Sequence, residues 1–279
     1  MPGKLYLVAT PIGNLEDITF RAIKVLKDVD IIAAEDTRHT LKLLNYYEIS
    51  KPLISYHRHN EGTKSEILIN KLLEEKNIAI VTDAGTPGIS DPGEEIVKEA
   101  IKSNIEIVPI PGACALINAL ISSGLNTKEF AFYGFLPLNK KNRKNVIERI
   151  KKEDKTIILY EAPHKLIKTL KEILENIGDI NCVIAREITK IHEEFIRKNI
   201  SEILEEFQKK DAVKGEYIIL LDMNFNETKT EVNEILEKSI EDQYEFYFSQ
   251  GMEKKEIIKQ IAKNKNVSKN EIYQIFINK

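Results

Sequence analysis

Short apolar runs alternate with amphipathic helical stretches along the first 222 residues, and this alternation limits the possible folds more than any other feature. A compact apolar run is typical of a strand buried on both faces, and apolar residues every three to four positions are typical of a packed helix. The first half predicts strands at 5–10, 30–34, 52–56, 78–82 and 105–110, with helices at 17–27, 64–76 and 91–102. This order predicts an α/β domain with a mostly parallel sheet.

The turn at 109–112 interrupts this pattern, and we place a domain boundary after residue 111. A helix of small residues at 113–123 follows it. The second half predicts strands at 130–135, 156–160, 182–186 and 216–221, with helices at 143–152, 164–177 and 201–209. The prediction is therefore α/β domains at 1–111 and 112–223. After them comes a module at 224–279, with a polar linker at 224–231 and two or three short helices.

Composition leaves the choice of partner open. The chain has 279 residues, 42% hydrophobic and 30% charged, which is typical of a globular protein. A net charge of -3 means that any RNA must bind to local basic patches. Only two cysteines, Cys114 and Cys182, are present, too few for a disulfide framework or a four-cysteine metal site, and we expect no metal. No secretory signal and no membrane-length apolar run are visible, so we expect a cytoplasmic protein without membrane association.

Four loops follow the predicted strands, at the edge where open α/β sheets bind ligands. The loop at 10–15 reads alone as an ordinary turn. The segment at 34–40 places two carboxylates, an arginine and a histidine at one strand end, which favours a site, although capping by Asp36 or Thr37 and surface ion pairs explain part of it. The loop at 111–115 has small residues, which suit either a ligand lying close to the backbone or tight helix packing.

The loop at 82–93 is the most informative of the four. It contains three glycines, two prolines and two aspartates directly after a predicted strand, which suits a ligand pressed against the main chain. It matches neither the dinucleotide motif G-x-G-x-x-G nor the phosphate-binding loop G-x-x-x-x-G-K-[ST]. The residues alone predict a ligand loop and leave the ligand unnamed.

Together these loops resemble the tetrapyrrole-methylase-like S-adenosylmethionine methyltransferases, over roughly residues 3–222. The motifs that carry the resemblance lie at 10–15, 34–40, 82–87, 91–93, 111–113, 134–137, 160–164, 185–190 and 214–216. The Glu-Asp-Thr-Arg cluster at 35–38 favours the branch that methylates a cytidine ribose 2'-hydroxyl in the decoding region of 16S ribosomal RNA. The segment at 267–273 loosely resembles that branch's C-terminal helical domain.

The resemblance implies two α/β domains of the tetrapyrrole methylase type with the cofactor cleft between them, and typically a homodimer. It implies S-adenosylmethionine as the cofactor and 16S rRNA or the small ribosomal subunit as the partner. The residues that it places at the cofactor are Pro11, Ile12, Gly13, Asp83, Ala84, Gly85, Thr86, Ile89, Ala113, Cys114, Ala115, Ala185 and Gly215.

A ribose hydroxyl is a poor nucleophile at neutral pH, so a side chain that accepts its proton would assist the reaction. The candidate bases are Glu35, Asp36, His39 and Glu161, and we favour the pair Glu35 and Asp36. Glu161 and His164 also suit a capping role at the following helix. The candidates for holding RNA are Arg38, His57, Arg58, His59, Lys140, Lys141, Arg143 and Arg186, although 57–59 also suits a surface loop and 139–144 a solvated helix start.

Two other functions fit the same scaffold. Methylation of a tetrapyrrole predicts a large apolar trough and gives the basic segments no role. A non-catalytic RNA-binding or ribosome-assembly protein predicts RNA affinity that does not depend on S-adenosylmethionine, and the complete glycine loop argues against it.

Overall fold

The computed structural model describes residues 1–209, 213–223, 238–249, 251–265 and 267–277. The chain divides into two compact units, residues 1–222 and 223–279. The first unit contains two five-stranded sheets, with one sheet built from each predicted α/β half. Because both sheets fall in one unit, the division of that unit into domains at 1–111 and 112–223 stays a prediction.

The first sheet is parallel throughout, which confirms the predicted class. Its strands, in the order β3-β2-β4-β1-β5, are β1 (Leu5–Val8), β2 (Ile31–Ala34), β3 (Leu53–Ser55), β4 (Ile78–Val81) and β5 (Ile107–Ile110). Along β4, Ile78 and Ile80 face one side of the sheet and Ala79 and Val81 the other, so both faces are buried. The carboxyl ends of β2, β3 and β4 are neighbours, which brings their loops together.

Helices cover both faces of this sheet. They are α1 (Phe20–Asp28) and α2 (Thr37–Tyr46) on one face, and α3 (Glu61–Leu73) and α4 (Glu94–Lys102) on the other. A short 3-10 helix, Leu15–Asp17, precedes α1. The sequence predictions omit α2. The side chain of Asp36 accepts a hydrogen bond from the Arg38 amide and caps this helix, so its apparent loop residues are a helix start.

The second sheet is mixed. Its strands, in the order β6-β7-β10-β8-β9, are β6 (Phe130–Phe135), β7 (Thr156–Glu161), β8 (Asn181–Arg186), β9 (Glu194–Asn199) and β10 (Tyr217–Asp222). Only β6 and β7 are parallel. Its helices are α5 (Ala115–Ser123), α6 (Lys140–Ile150), α7 (Leu166–Asn176) and α8 (Ile200–Gln208). The sequence predictions omit β9, because this edge strand is mostly polar and Ile196 is its one buried residue.

The second unit is helical, as predicted. Its described helices are α9 (Ile240–Ser249), α10 (Lys254–Lys265) and α11 (Lys269–Ile277). They share a core of their own that includes Ile257, Ile261 and Ile272. Most of the predicted linker at 224–231 and its neighbours to residue 237 lie outside the described residues. Within the described part of the chain, no helix is long and apolar enough to cross a membrane.

Candidate functional site

Three of the predicted ligand loops meet at the carboxyl edge of the first sheet. The Thr10 amide donates to the Gly85 carbonyl at 2.9 Å, and the Gly85 amide donates back to the Thr10 carbonyl at 3.1 Å. The hydroxyl of Thr86 donates to the carbonyl of Ala113 at 3.1 Å. The loops after β1, β4 and β5 therefore form one connected surface of backbone groups.

Gly85 must be glycine in this arrangement. Its φ of +84° lies in the left-handed region that L side chains rarely adopt. An added Cβ would lie 3.3 Å from Cγ2 of Ile12 and 3.7 Å from the carbonyl oxygen of Ala113. The absence of a side chain thus keeps open the space between the loops at 10–15 and 111–115.

A cavity of about 300 Å³ is lined by residues of the second half and by Ile12 of the loop after β1. Its walls are mostly apolar, and three predicted cofactor residues, Ile12, Ala115 and Ala185, line it. The other lining residues are Phe135, Tyr160, Glu161, Ala162, Pro163, Ile188, Glu216, Tyr217 and Ile218. An apolar cavity with a few polar groups at its edge is typical of small-molecule sites. The cavity and the glycine loop beside it fit a flat, partly polar cofactor such as S-adenosylmethionine.

The remaining predicted cofactor residues lie on the loops around this cavity. Ala113 and Cys114 pack against the cluster that contains Ile12 and Ala185. The others, on the loops after β1 and β4 and before β10, are Pro11, Gly13, Asp83, Ala84, Gly85, Thr86, Ile89 and Gly215. Their contact with a cofactor stays a prediction.

Tyr160 is the main cavity residue that the sequence predictions did not assign. Its hydroxyl accepts a hydrogen bond from the Leu116 amide at 3.1 Å, at the start of α5. Its ring meets Phe132 and Phe135 edge-on, at centroid distances of 4.9 and 5.6 Å. Burial raises the pKa of its hydroxyl above the ordinary range. Its place near the end of β7, as the first residue of the motif at 160–164, is the signal that could have identified it.

The two carboxylates of the predicted catalytic pair have different surroundings. Asp36 pairs with Arg38 at 2.7 Å, and hydrogen bonds from the Arg38 side chain and amide hold the pKa of Asp36 below its usual range. Glu35 is half-buried, and burial followed by the nearby charge of Asp83 raises the pKa of Glu35. Of the two, Glu35 is therefore the better proton acceptor near neutral pH.

Two further aspartates of the glycine loop belong to the same cluster. The carboxylate of Asp83 accepts from the Asp36 amide at 3.0 Å, which connects the segment at 34–40 to the loop at 82–93. Burial first, and then the charge of Glu35, raises the pKa of Asp91 to about 6. Arg58 donates to the Ser90 carbonyl and partly offsets the negative charge. Asp91 lies in the motif at 91–93, and the sequence predictions assign it no role.

The raised pKa of Asp91 predicts a pH-dependent stability. The folded protein holds this proton more tightly than the unfolded chain, whose aspartate titrates near 3.8, so stability falls as the pH rises through about 4 to 6. We expect Asp91→Asn to abolish this pH-dependent decrease in the free energy of unfolding. The decrease should be only about 1 kcal/mol, because the carboxyl is partly exposed. Urea denaturation measures the free energy of unfolding near pH 4 and pH 8. Relative to the wild type, the variant should be more stable at pH 8 than at pH 4. An equal difference at both pH values would contradict the prediction.

Glu161 and Arg143, predicted as a base and an RNA contact, take part in one buried network. The Glu161 carboxylate accepts from the Ala162 amide at 2.9 Å and from the Thr169 hydroxyl at 2.5 Å. The Arg143 guanidinium donates to the same hydroxyl at 2.6 Å and pairs with Glu172. This geometry joins α6 to α7 below the cavity and leaves the Arg143 side chain, 9% exposed, out of reach of a phosphate.

Removal of this buried ion pair should lower the stability of the first unit. We expect Arg143→Met to cost about 3 kcal/mol, because it removes a buried donor from the Glu172 carboxylate and from the Thr169 hydroxyl. The matched variant Lys144→Met, on the exposed face of the same helix, should change stability by less than about 0.5 kcal/mol. Denaturant unfolding of the two variants measures the difference. Equal values would show that the pair contributes nothing.

The other predicted RNA residues divide into exposed and engaged groups. Exposed side chains are those of Arg38, Arg58, His59, Lys140 and Lys141, and also the proposed base His39. The outer face of α2 contains Arg38, His39 and Lys42 and no acidic residue. Arg186 donates to the carbonyl of Lys214 at 3.0 Å and lies 3.4 Å from Glu194. His57 is partly buried beside Asn60, and its Nδ1 has no partner among the described residues. Their contact with RNA stays a prediction.

Metal ligation has no support in the part of the chain that the structure describes. Within it, no group of three or more His, Cys, Asp and Glu side chains is arranged to hold a metal ion. Cys182 is buried in β8, and burial raises the pKa of its thiol; Cys114 is half-buried beside α5.

Known proteins resemble this chain over nearly its whole length. The family model described as "Tetrapyrrole (Corrin/Porphyrin) Methylases" matches residues 4–204. A Halalkalibacterium halodurans protein named "Ribosomal RNA small subunit methyltransferase I" is 48% identical over 276 residues, 98% of this chain and 94% of its own length. The Bacillus subtilis protein of the same name is 48% identical over 275 residues, with the same coverage.

Solved structures share the fold at much lower identity. A diphthine synthase matches with a TM-score of 0.63 and 15% identity, over 80% of this chain and 94% of that chain. A uroporphyrin-III C-methyl transferase from Thermus thermophilus, complexed with S-adenyl homocysteine, matches with a TM-score of 0.55 and 17% identity, over 79% of this chain and 98% of that chain. These likenesses show the tetrapyrrole methylase fold that the sequence predicts for the two α/β halves.

Proposed function

The chain belongs to the tetrapyrrole (corrin/porphyrin) methylase family, and from this membership we propose that it methylates small-subunit ribosomal RNA with S-adenosylmethionine. The acceptor that we propose is the ribose 2'-hydroxyl of a cytidine in the decoding region of 16S rRNA. The observation that carries the reaction is the half-buried carboxylate of Glu35, which lies in the acidic cluster that joins the glycine loop.

The bound cofactor supplies an activated methyl group on a sulfonium. The chain's own residues have three tasks. Ile12, Ala115 and Ala185 enclose the cofactor in the apolar cavity and exclude water. The loops at 10–15 and 82–87 present backbone groups that fix its orientation. Glu35 accepts the proton of the attacking 2'-hydroxyl, so that the oxygen gains a methyl group as it loses hydrogen.

The RNA substrate is supported by the charge near the site. The chain is acidic overall, but the exposed face of α2 begins at the same strand end as Glu35 and has only basic and neutral side chains. Lys140 and Lys141 in the first turn of α6 add exposed positive charge. Such contacts neutralise phosphates without reading sequence, so we expect RNA binding to weaken as salt increases.

Methyl transfer to purified ribosomal subunits tests the proposal. Small subunits and naked 16S rRNA from cells without this protein are incubated with S-adenosylmethionine that has a labelled methyl group, and the nucleosides are then analysed. We expect labelled 2'-O-methylcytidine with the wild type and a strong loss with Glu35→Gln. Absence of that nucleoside refutes the RNA assignment.

Two other outcomes would identify the competing functions. Labelling of an added porphyrinoid without RNA product would favour tetrapyrrole methylation. RNA affinity that ignores S-adenosylmethionine, without any methylated product, would favour a binding protein. We also propose that the protein is cytoplasmic and homodimeric, and light scattering of the purified chain tests the second point.

A further inference from the structure

The loop after β8 contains two residues in a strained backbone conformation. Glu187 and Thr189 have φ values of +50° and +67°, in the left-handed region, although neither residue is glycine. Such conformations persist only where surrounding contacts impose them, and they are concentrated at functional sites. In this loop the Glu187 side chain is bonded to Lys190 at 3.0 Å, and the Thr189 amide donates to the Glu193 carboxylate at 2.6 Å.

Lys190 joins the two carboxylates beside the cavity. Its Nζ donates to Glu187 Oε1 and to Glu216 Oε2, each at 3.0 Å. The Glu216 amide also donates to Glu187 Oε1 at 2.8 Å. We call the three side chains Glu187, Lys190 and Glu216 the Lys190 clamp. The clamp connects the loop after β8 to the loop before β10.

The clamp lies against two glycines, and both are predicted cofactor positions. A Cβ on Gly13 would lie 2.5 Å from Cγ of Lys190 and 2.8 Å from Oγ1 of Thr189. A Cβ on Gly215, whose φ is +107°, would lie 2.8 Å from Cγ of Glu187. The Asn14 amide also donates to the Thr189 hydroxyl at 3.1 Å. The side chains of the clamp therefore pack against the backbone of both loops and hold it in place.

The same loops line the cavity. Ile188, between the two strained residues, is a lining residue, as are Glu216 and Ile12. Ile188 and Ile12 also share one apolar cluster with Ala185. Because Ile12 precedes Gly13 and Glu216 follows Gly215, any movement of the clamp would move the cavity walls.

The charges of the three side chains favour the hydrogen-bonded arrangement of the clamp. Burial alone would raise the pKa of Glu187, but the hydrogen bond from the Glu216 amide and the Lys190 ammonium hold it below its usual value. Burial lowers the pKa of Lys190, and the hydrogen bonds to the two carboxylates raise it above its usual value. Without Lys190, two carboxylates would face each other beside the cavity and repel.

We propose that Lys190 is a positioning residue for the methyl donor. It holds the loop at 10–15 and the loop at Gly215 in the positions that shape the cavity, and it does not contact the reacting atoms. The inference rests on the proposed use of S-adenosylmethionine. It predicts that the loss of Lys190 weakens cofactor binding and leaves the methyl-transfer step nearly unchanged.

Calorimetric binding of S-adenosylhomocysteine to the full chain tests this role without RNA. We expect Lys190→Met to raise Kd about tenfold, which corresponds to about 1.4 kcal/mol. In the methylation assay KM for S-adenosylmethionine should rise similarly, with kcat at saturation within about threefold of the wild type. Lys190→Arg should restore most of the affinity because it still reaches both carboxylates.

Lys198→Met is the matched control, since Lys198 pairs with Glu206 at 2.9 Å on the surface of the same half. It should bind as the wild type does. Glu216→Gln removes only the exposed partner, and it should raise Kd by about two- to fourfold even if Lys190→Met does not fold.

Wild-type affinity in both Lys190→Met and Glu216→Gln overturns the inference, as does an arginine variant that binds no better than the methionine variant. A loss of the same size in the Lys198 control overturns it as well. Failure of the wild type to bind S-adenosylhomocysteine refutes the proposed cofactor and the clamp's role with it. If the wild type binds and the Lys190 variants match it, the proposed function survives and only the clamp fails.

Discussion

Glu35→Gln is expected to lower kcat for methyl transfer by about 10²- to 10⁴-fold, the usual contribution of a positioned general base. Glutamine keeps the size of the side chain and removes its ability to accept the hydroxyl proton. Because burial and Asp83 raise the pKa of Glu35, the wild-type rate should fall as the pH decreases through that raised pKa, and the variant should lose this dependence. Single-turnover methylation of small subunits across pH measures both effects.

Asp36→Asn is the control for this experiment. Asparagine still caps α2, and the exposed carboxylate of Asp36 already pairs with Arg38, so we expect less than about a tenfold change in kcat. S-adenosylhomocysteine should bind both variants as it binds the wild type. If Glu35→Gln keeps its rate, positioning of the substrates alone must account for catalysis, and the assignment of Glu35 as base is wrong.

Gly85→Val should abolish cofactor binding, with a loss of at least about 100-fold in affinity for S-adenosylhomocysteine. A valine at this position must adopt a φ of +84° and must also displace Ile12, which lines the cavity. The change would also disturb the paired backbone hydrogen bonds to Thr10. Calorimetry measures the affinity, and circular dichroism checks that the chain still folds.

Gly124→Val separates strain from obstruction. Gly124 ends α5 with the same φ of +84°, but no atom lies within 4 Å of its added Cβ. This variant should lose stability through its backbone and should still bind S-adenosylhomocysteine. Equal loss of binding in both variants would show that general destabilisation, and not blockage of the cavity, explains the effect of Gly85→Val.

The order and type of most elements could be predicted from the sequence because buried strands and packed helices leave local patterns. The glycine loop after β4 could also be recognised from a local pattern, since its glycines and prolines lie within a dozen residues. Elements with weak local patterns were missed. The strand β9 lies at a sheet edge and is mostly polar, and α2 begins within a run of polar residues that suggested a loop.

The sequence by itself determined the α/β class, and it predicted the ligand edge of the first sheet and the glycine loop that we propose for the cofactor. The tertiary structure decided the surroundings of the side chains that could do chemistry. Glu35 and Asp36 are neighbours in the chain, yet burial and Asp83 raise the pKa of Glu35, while Arg38 holds the pKa of Asp36 below its usual range. Arg143 belongs to a basic segment but pairs with Glu172 inside the fold. The physical reason is that charge and burial depend on residues far along the chain, which only folding brings together.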